Sequence, residues 1–146
     1  MHSEKIVRLT HEVPHPLEHV WKTFSQMQSQ TALHHLNVPF RLHIVTNEFK
    51  QSGKLFVQAQ FYQSGRIHNM AGRYHKIDCF RYIICFSING KRMVFSLNIK
   101  SPDRTKITLS HEMDPRSSFE KESILTQNIL LLLTNLLEEQ QTQLSK

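Results

Sequence analysis

The sequence is poor in the residues that specialised chemistries require. Its two cysteines, Cys79 and Cys85, stand six apart with no second pair. That spacing matches neither a zinc pattern nor a disulfide framework, and unpaired thiols fit a reducing compartment. Four glycines provide no phosphate-cradling loop, and the Gly-x-Ser-x-Gly elbow of serine hydrolases does not occur. The longest apolar run, Ile129 to Leu133, falls far short of the ~20 residues of a membrane span. The N-terminus lacks the apolar stretch of a secretory signal. These absences point to a cytoplasmic protein with no membrane span, and a length of 146 residues to a single domain over 1–146.

What is present is ordinary soluble composition, 39% apolar and 21% charged, which sets aside disordered and fibrous classes. Eighteen Lys and Arg against twelve Asp and Glu give a formal charge of +6. An excess of that sign favours polyanions only when it is gathered on one face. Here Arg8, Lys54, Arg73, Arg81, Lys100 and Lys106 fall singly along the chain, with Lys91-Arg92 an adjacent pair, so no nucleic-acid partner is expected.

Hydrophobic periodicity supplies the elements. Lys5 to Val13 alternates apolar and polar, placing Val7, Leu9, His11 and Val13 on one strand face. Pro14 and Pro16 end that strand. Leu17, Val20, Trp21, Phe24 and Met27 then recur at helical spacing, with Pro16 suited to the first helical position. A second helical turn is expected over Thr31 to His35, before Pro39 returns the chain to extended form. From Arg41 to Asp114, six strands are separated by Ser52-Gly53, Ser64-Gly65, a break near Asp78-Cys79, Asn89-Gly90 and Ser101-Pro102-Asp103. Such short connections make an antiparallel meander. Asn89-Gly90 suits a two-residue type I′ turn, which sets Ile88 opposite Lys91, Phe86 opposite Met93, Ile84 opposite Phe95 and Tyr82 opposite Leu97. The last 30 residues read as one helix opened by the capping box Ser117-Ser-Phe-Glu120. Leu125, Ile129, Leu132, Leu133 and Leu136 form its inner stripe, with Ile124 and Leu131 on the far side.

Val13-Pro14 followed by Leu17, Val20, Trp21 and Phe24, and the strand Ile107 to Met113 leading into the long helix, resemble the START/Bet v 1-like superfamily, which includes the polyketide cyclases and AHSA1-like proteins (SRPBCC). The resemblance covers nearly the whole chain. It lies in element order more than in any residue, and points to a less characterised bacterial branch. It implies an α+β helix-grip fold: a curved antiparallel seven-stranded sheet wrapped around a long C-terminal helix, with two short helices after the first strand. It also implies a cavity between sheet and helix that holds a small hydrophobic molecule. A module for protein partners or self-association as a homodimer is the alternative, and a cyclase or hydratase a further one; fold alone does not choose.

Ten histidines raise the question of a metal, but spacing answers it poorly. His15 and His19 are four apart at a helix entry and read as surface residues, so neither a metal nor a cofactor is expected. His11 and His111 sit on apolar strand faces, and the first and last strands are neighbours in the fold that the resemblance implies. Glu122 projects from the inner stripe of the last helix. This trio is the candidate polar anchor for a ligand head group or an acid–base pair, the other reading being satisfied core groups. Phe61, Tyr82, Phe86, Phe95 and Leu97 with Leu125, Ile129, Leu132, Leu133 and Leu136 complete the candidate lining. Most of that set is also needed for the core, because each buried side chain contributes about 1.5 to 3 kcal/mol.

Overall fold

The computed structural model describes residues 6–28 and 31–144. Asn89 and Gly90 both adopt positive φ, 51° and 79°, and close the expected two-residue turn. The strands on either side, β6 (Ile83–Ile88) and β7 (Lys91–Ser101), pair Ile88 with Lys91, Phe86 with Met93 and Ile84 with Phe95, as the sequence pattern required. Tyr82 lies just outside β6 with φ 57°, yet its carbonyl still accepts the Leu97 N–H at 3.0 Å.

The meander continues on both sides of this hairpin. β3 (Phe40–Asn47), β4 (Lys54–Phe61) and β5 (Ile67–Asp78) precede it, β8 (Arg104–Glu112) follows it, and β1 (Ile6–Val13) pairs with β8. Each break has a local cause. At the β5–β6 corner the Asp78 carboxylate accepts the N–H groups of Phe80 and Arg81, both at 3.0 Å. The sheet order is β1-β8-β7-β6-β5-β4-β3-β2, a curled antiparallel layer, and with the long helix it makes an α+β helix grip.

The sheet has eight strands, not the expected seven, because an additional short strand takes the place of the expected second short helix. The segment Thr31 to His35, expected as a helical turn, instead supplies β2 (Ala32–Leu33), paired with His43 and Leu42 of β3. Burial of Leu33 favours the strand, and Asn135 of the long helix donates to the His34 carbonyl at 2.6 Å. A single short helix remains among the described residues, α1 (Leu17–Ser25), with Pro16 at its N-cap and not within its first turn. It buries Leu17, Val20, Thr23 and Phe24.

The long helix is α2 (Phe119–Leu144). Its cap is Ser118, whose hydroxyl accepts the Lys121 N–H at 3.1 Å, so the expected Ser117–Glu120 box is displaced by one residue. Its buried stripe is also rotated from the expected one. Leu130, Leu132, Leu133, Leu136 and Leu137 are buried along with Glu122 and Thr126, while Leu125 is 42% exposed. Ile124 is exposed, whereas Leu131 is half-buried against the core. No helix among the described residues is long and apolar enough to cross a membrane.

Candidate functional site

The placement of α2 determines where space is left. Its close packing partners are β1, β2 and α1, at the two margins of the curled sheet, and not the middle strands β4 to β6. A hydroxyl–imidazole contact fixes it on the β1–β8 margin. His111 Nε2 lies 2.7 Å from Thr126 Oγ1, and its Nδ1 lies 3.0 Å from the Glu112 carbonyl. With Nδ1–H donating to that carbonyl, Nε2 is left as an acceptor, and the single Thr126 hydroxyl proton is shared between it and the Glu122 carbonyl at 2.8 Å. His111 is thus a satisfied core group bracing helix to sheet.

Between the middle of the sheet and the N-terminal half of α2 lies a cavity of about 530 Å³. Its walls are almost wholly apolar. Val57, Ala59 and Phe61 come from β4, Ile84 and Phe86 from β6, Met93 and Phe95 from β7, and Leu125, Ile129 and Leu133 from α2. Strand alternation sends these residues to the concave face. Ring contacts stiffen the wall: Phe86 stacks on Phe95 at 5.6 Å, and Phe24 tilts against Phe95 at 5.4 Å. Tyr74 also lines the cavity, and its hydroxyl donates to Asn47, whose Nδ2 donates to the Met27 carbonyl at 2.8 Å. Burial pushes the Tyr74 phenol well above its ordinary pKa, so it stays neutral.

Polar groups gather at one side of the lining. His68, Asn69 and Asn89 are exposed there, beside half-buried Lys91 and Asp114 and the partly exposed Leu125. Lys91 Nζ lies 2.8 and 2.9 Å from the two oxygens of Glu122, and the Asp114 N–H donates to Glu122 Oε1 at 3.0 Å. Burial pushes the Glu122 pKa up, but the hydrogen-bonded Lys91 ammonium and the Asp114 N–H outweigh it and hold the carboxyl below its ordinary range. Glu122 is therefore an ionised, paired carboxylate. The Asp114 carboxyl is held low by the Arg116 N–H and guanidinium.

The sequence-derived candidates divide accordingly. Phe61, Phe86, Phe95, Leu125, Ile129 and Leu133 line the cavity. Tyr82 packs instead on Trp21 at 5.4 Å, and Leu97, Leu132 and Leu136 are buried in the core away from the lining. His11, His111 and Glu122 do not converge on it. His11 pairs with Ile107 and His111 with Val7, which separates the imidazoles by four positions along adjacent strands, about 13 Å at strand rise. Glu122 borders the cavity through Lys91 and Asp114, and does not line it itself. Reading the sequence missed Lys91, whose place beside the Asn89-Gly90 turn was legible but whose partner 31 residues on was not.

His15 corrects another expectation. It is 1% exposed, not a surface residue, with Nε2 on Glu138 at 3.0 Å and Nδ1 buried without a hydrogen-bond partner. Thr105 anchors the same turn by donating to the His15 carbonyl at 2.7 Å. His19 is half-buried beside it, with ring centres 5.3 Å apart, and its pKa is lowered by burial and then by the neighbouring His15. No group of three or more metal-ligating side chains is found among the described residues.

No protein-family model matches the chain, and no curated protein matches its sequence. Solved structures do match, at low identity. An AHSA1-like protein from Aeromonas hydrophila is similar at 10% identity and a TM-score of 0.70, covering 91% of this chain and 93% of its own. The Zhui aromatase/cyclase from Streptomyces sp. R1128 is similar at 16% identity and a TM-score of 0.59, covering 94% and 93%. Norcoclaurine synthase from Thalictrum flavum, in complex with dopamine and hydroxybenzaldehyde, is similar at 11% identity and a TM-score of 0.60, covering 97% and 88%. At such identities the likeness shows architecture and not activity. The chain has the Bet v 1-type helix-grip fold.

Proposed function

We propose that this protein binds a small hydrophobic molecule in the cavity between the middle strands and the N-terminal half of α2. The observation that carries the reading is an apolar space of about 530 Å³ bordered by a partly exposed leucine, Leu125. Ligand sites commonly occupy about 300 to 1,000 Å³, whereas a dry packing defect of about 150 Å³ is already large. The contact surface comprises Phe61, Phe86, Phe95, Leu125, Ile129 and Leu133. His111 acts indirectly, by holding α2 on the β8 side. The aromatase/cyclase and the dopamine-bound synthase support the reading as occupants of the same fold, by analogy alone.

Titration with neutral, fluorescent N-phenyl-1-naphthylamine tests this, alongside native mass spectrometry of gently purified protein. The expected result is saturable binding at one site, competed by a co-purifying or added apolar compound. Linear, non-saturating fluorescence together with a bare polypeptide mass refutes it.

A further inference from the structure

Resting on the cavity reading, we infer that the occupant carries an uncharged hydrogen-bonding head, such as a hydroxyl or ketone, against Lys91, and that a carboxylate is selected against. The argument is one of charge already spent at the rim. Lys91 is the only Lys or Arg among the described residues lining the cavity, and Asp114 the only carboxylate. Lys91 is neutralised on the spot, since both Glu122 oxygens lie within 2.9 Å of Nζ. Asp114 is matched by Arg116, whose backbone N–H and Nε reach Oδ1 at 2.9 and 3.4 Å. Two cations and two carboxylates leave no net positive charge for an anion.

A ligand carboxylate placed on Lys91 would face Glu122 and Asp114 together, in a part of the fold where the Glu122 side chain is only 6% exposed and charges are poorly screened. An ammonium has three donors, and the geometry with Glu122 engages two oxygens. A neutral oxygen needs one remaining N–H and disturbs no charge balance. Glu122 is thus a specificity-determining residue that acts through Lys91 without touching the ligand.

The test compares 2-naphthol with 2-naphthoate at pH 7, two probes of the same ring size, one neutral and one anionic. Wild-type protein is expected to bind 2-naphthol at least tenfold more tightly. Glu122→Gln keeps an acceptor for the Asp114 N–H but frees the Lys91 charge, so 2-naphthoate should tighten at least tenfold while 2-naphthol changes less than threefold. That selective gain separates charge pairing from the general cost of desolvating an anion. If Glu122→Gln does not fold, Asp114→Asn removes the other carboxylate from a half-exposed position and should tighten 2-naphthoate several-fold. Wild-type protein that binds 2-naphthoate as well as 2-naphthol overturns the inference and leaves the cavity reading standing. So does a probe preference that the folded variants leave unmoved. Absence of saturable binding by both probes overturns the cavity reading and this inference with it.

Discussion

Substituting Ala59→Phe turns the existence of the cavity into the sign of a stability change. Ala59 is buried in β4, lines the cavity, and has Leu42 and His68 as its cross-strand neighbours. A phenyl group there extends into the 530 Å³ space. Relative to alanine it removes about 100 Å² more apolar surface from water, worth about 2.5 kcal/mol at 25 cal/mol per Å². Fixing the side chain costs about 0.5 to 1 kcal/mol, which leaves a net stabilisation of about 1.5 kcal/mol. If side chains filled the interior, the same change would be overpacking and would cost about 1 to 3 kcal/mol. The two outcomes differ by about 3 kcal/mol, well beyond the uncertainty of a denaturant extrapolation. Urea unfolding should show a higher midpoint at unchanged slope, and the melting temperature should rise by about 3 to 6 °C. N-phenyl-1-naphthylamine binding should weaken at least tenfold. A variant that is destabilised while retaining full binding would refute the placement of the empty volume.

Other substitutions separate framework from cavity. Leu137→Ala, at a fully buried position, should cost about 2 to 5 kcal/mol, whereas Leu125→Ala at the partly exposed rim should cost less than about 1 kcal/mol and mainly weaken probe binding. Parallel urea and fluorescence titrations read both effects. Thr126→Val leaves His111 Nε2 without its partner and should destabilise by about 1 to 3 kcal/mol. Combined with His111→Leu, the loss should be smaller than the sum of the single effects, as a double-mutant cycle will show. The lowered pKa of His19 sets a pH dependence. Near the ordinary histidine value of 6.5 the unfolded chain takes up a proton that the folded protein refuses, so stability is lost as pH falls through that range and regained as it rises. Urea midpoints between pH 7.5 and 5 should fall in the wild type and flatten in His19→Gln; an unchanged slope contradicts the assignment.

Legibility in the sequence followed the range of the interaction concerned. The β6–β7 hairpin could be read in full because turn chemistry and alternation act within a dozen residues and agree. The same holds for the six-strand meander. Thr31 to His35 could not be read that way, because an isolated two-residue strand owes its form to β3 and to Asn135 about 100 residues away. Charge behaves similarly. Lys54, Arg73 and Arg92 look scattered along the chain, yet strand register places them in one cross-strand row, with Ser87 between Arg73 and Arg92. His15 read as exposed because nothing near it in sequence foretells Glu138 or Thr105.

The candidate site was half legible for a geometric reason. Periodicity identifies the face of α2 that is apolar, but not the rotation and offset at which that face lands. An offset toward β1 and β2 buries Leu130 and Leu137, which the ideal stripe omitted, and leaves Leu125 at the rim. It also carries Glu122 onto Lys91 and away from His11. The same displacement thus creates the space and fixes the polarity of its border. It is held by groups that pattern reading treats as incidental, the Thr126 hydroxyl and the His111 ring, so loosening that pair should alter the width of the cavity before it alters the fold.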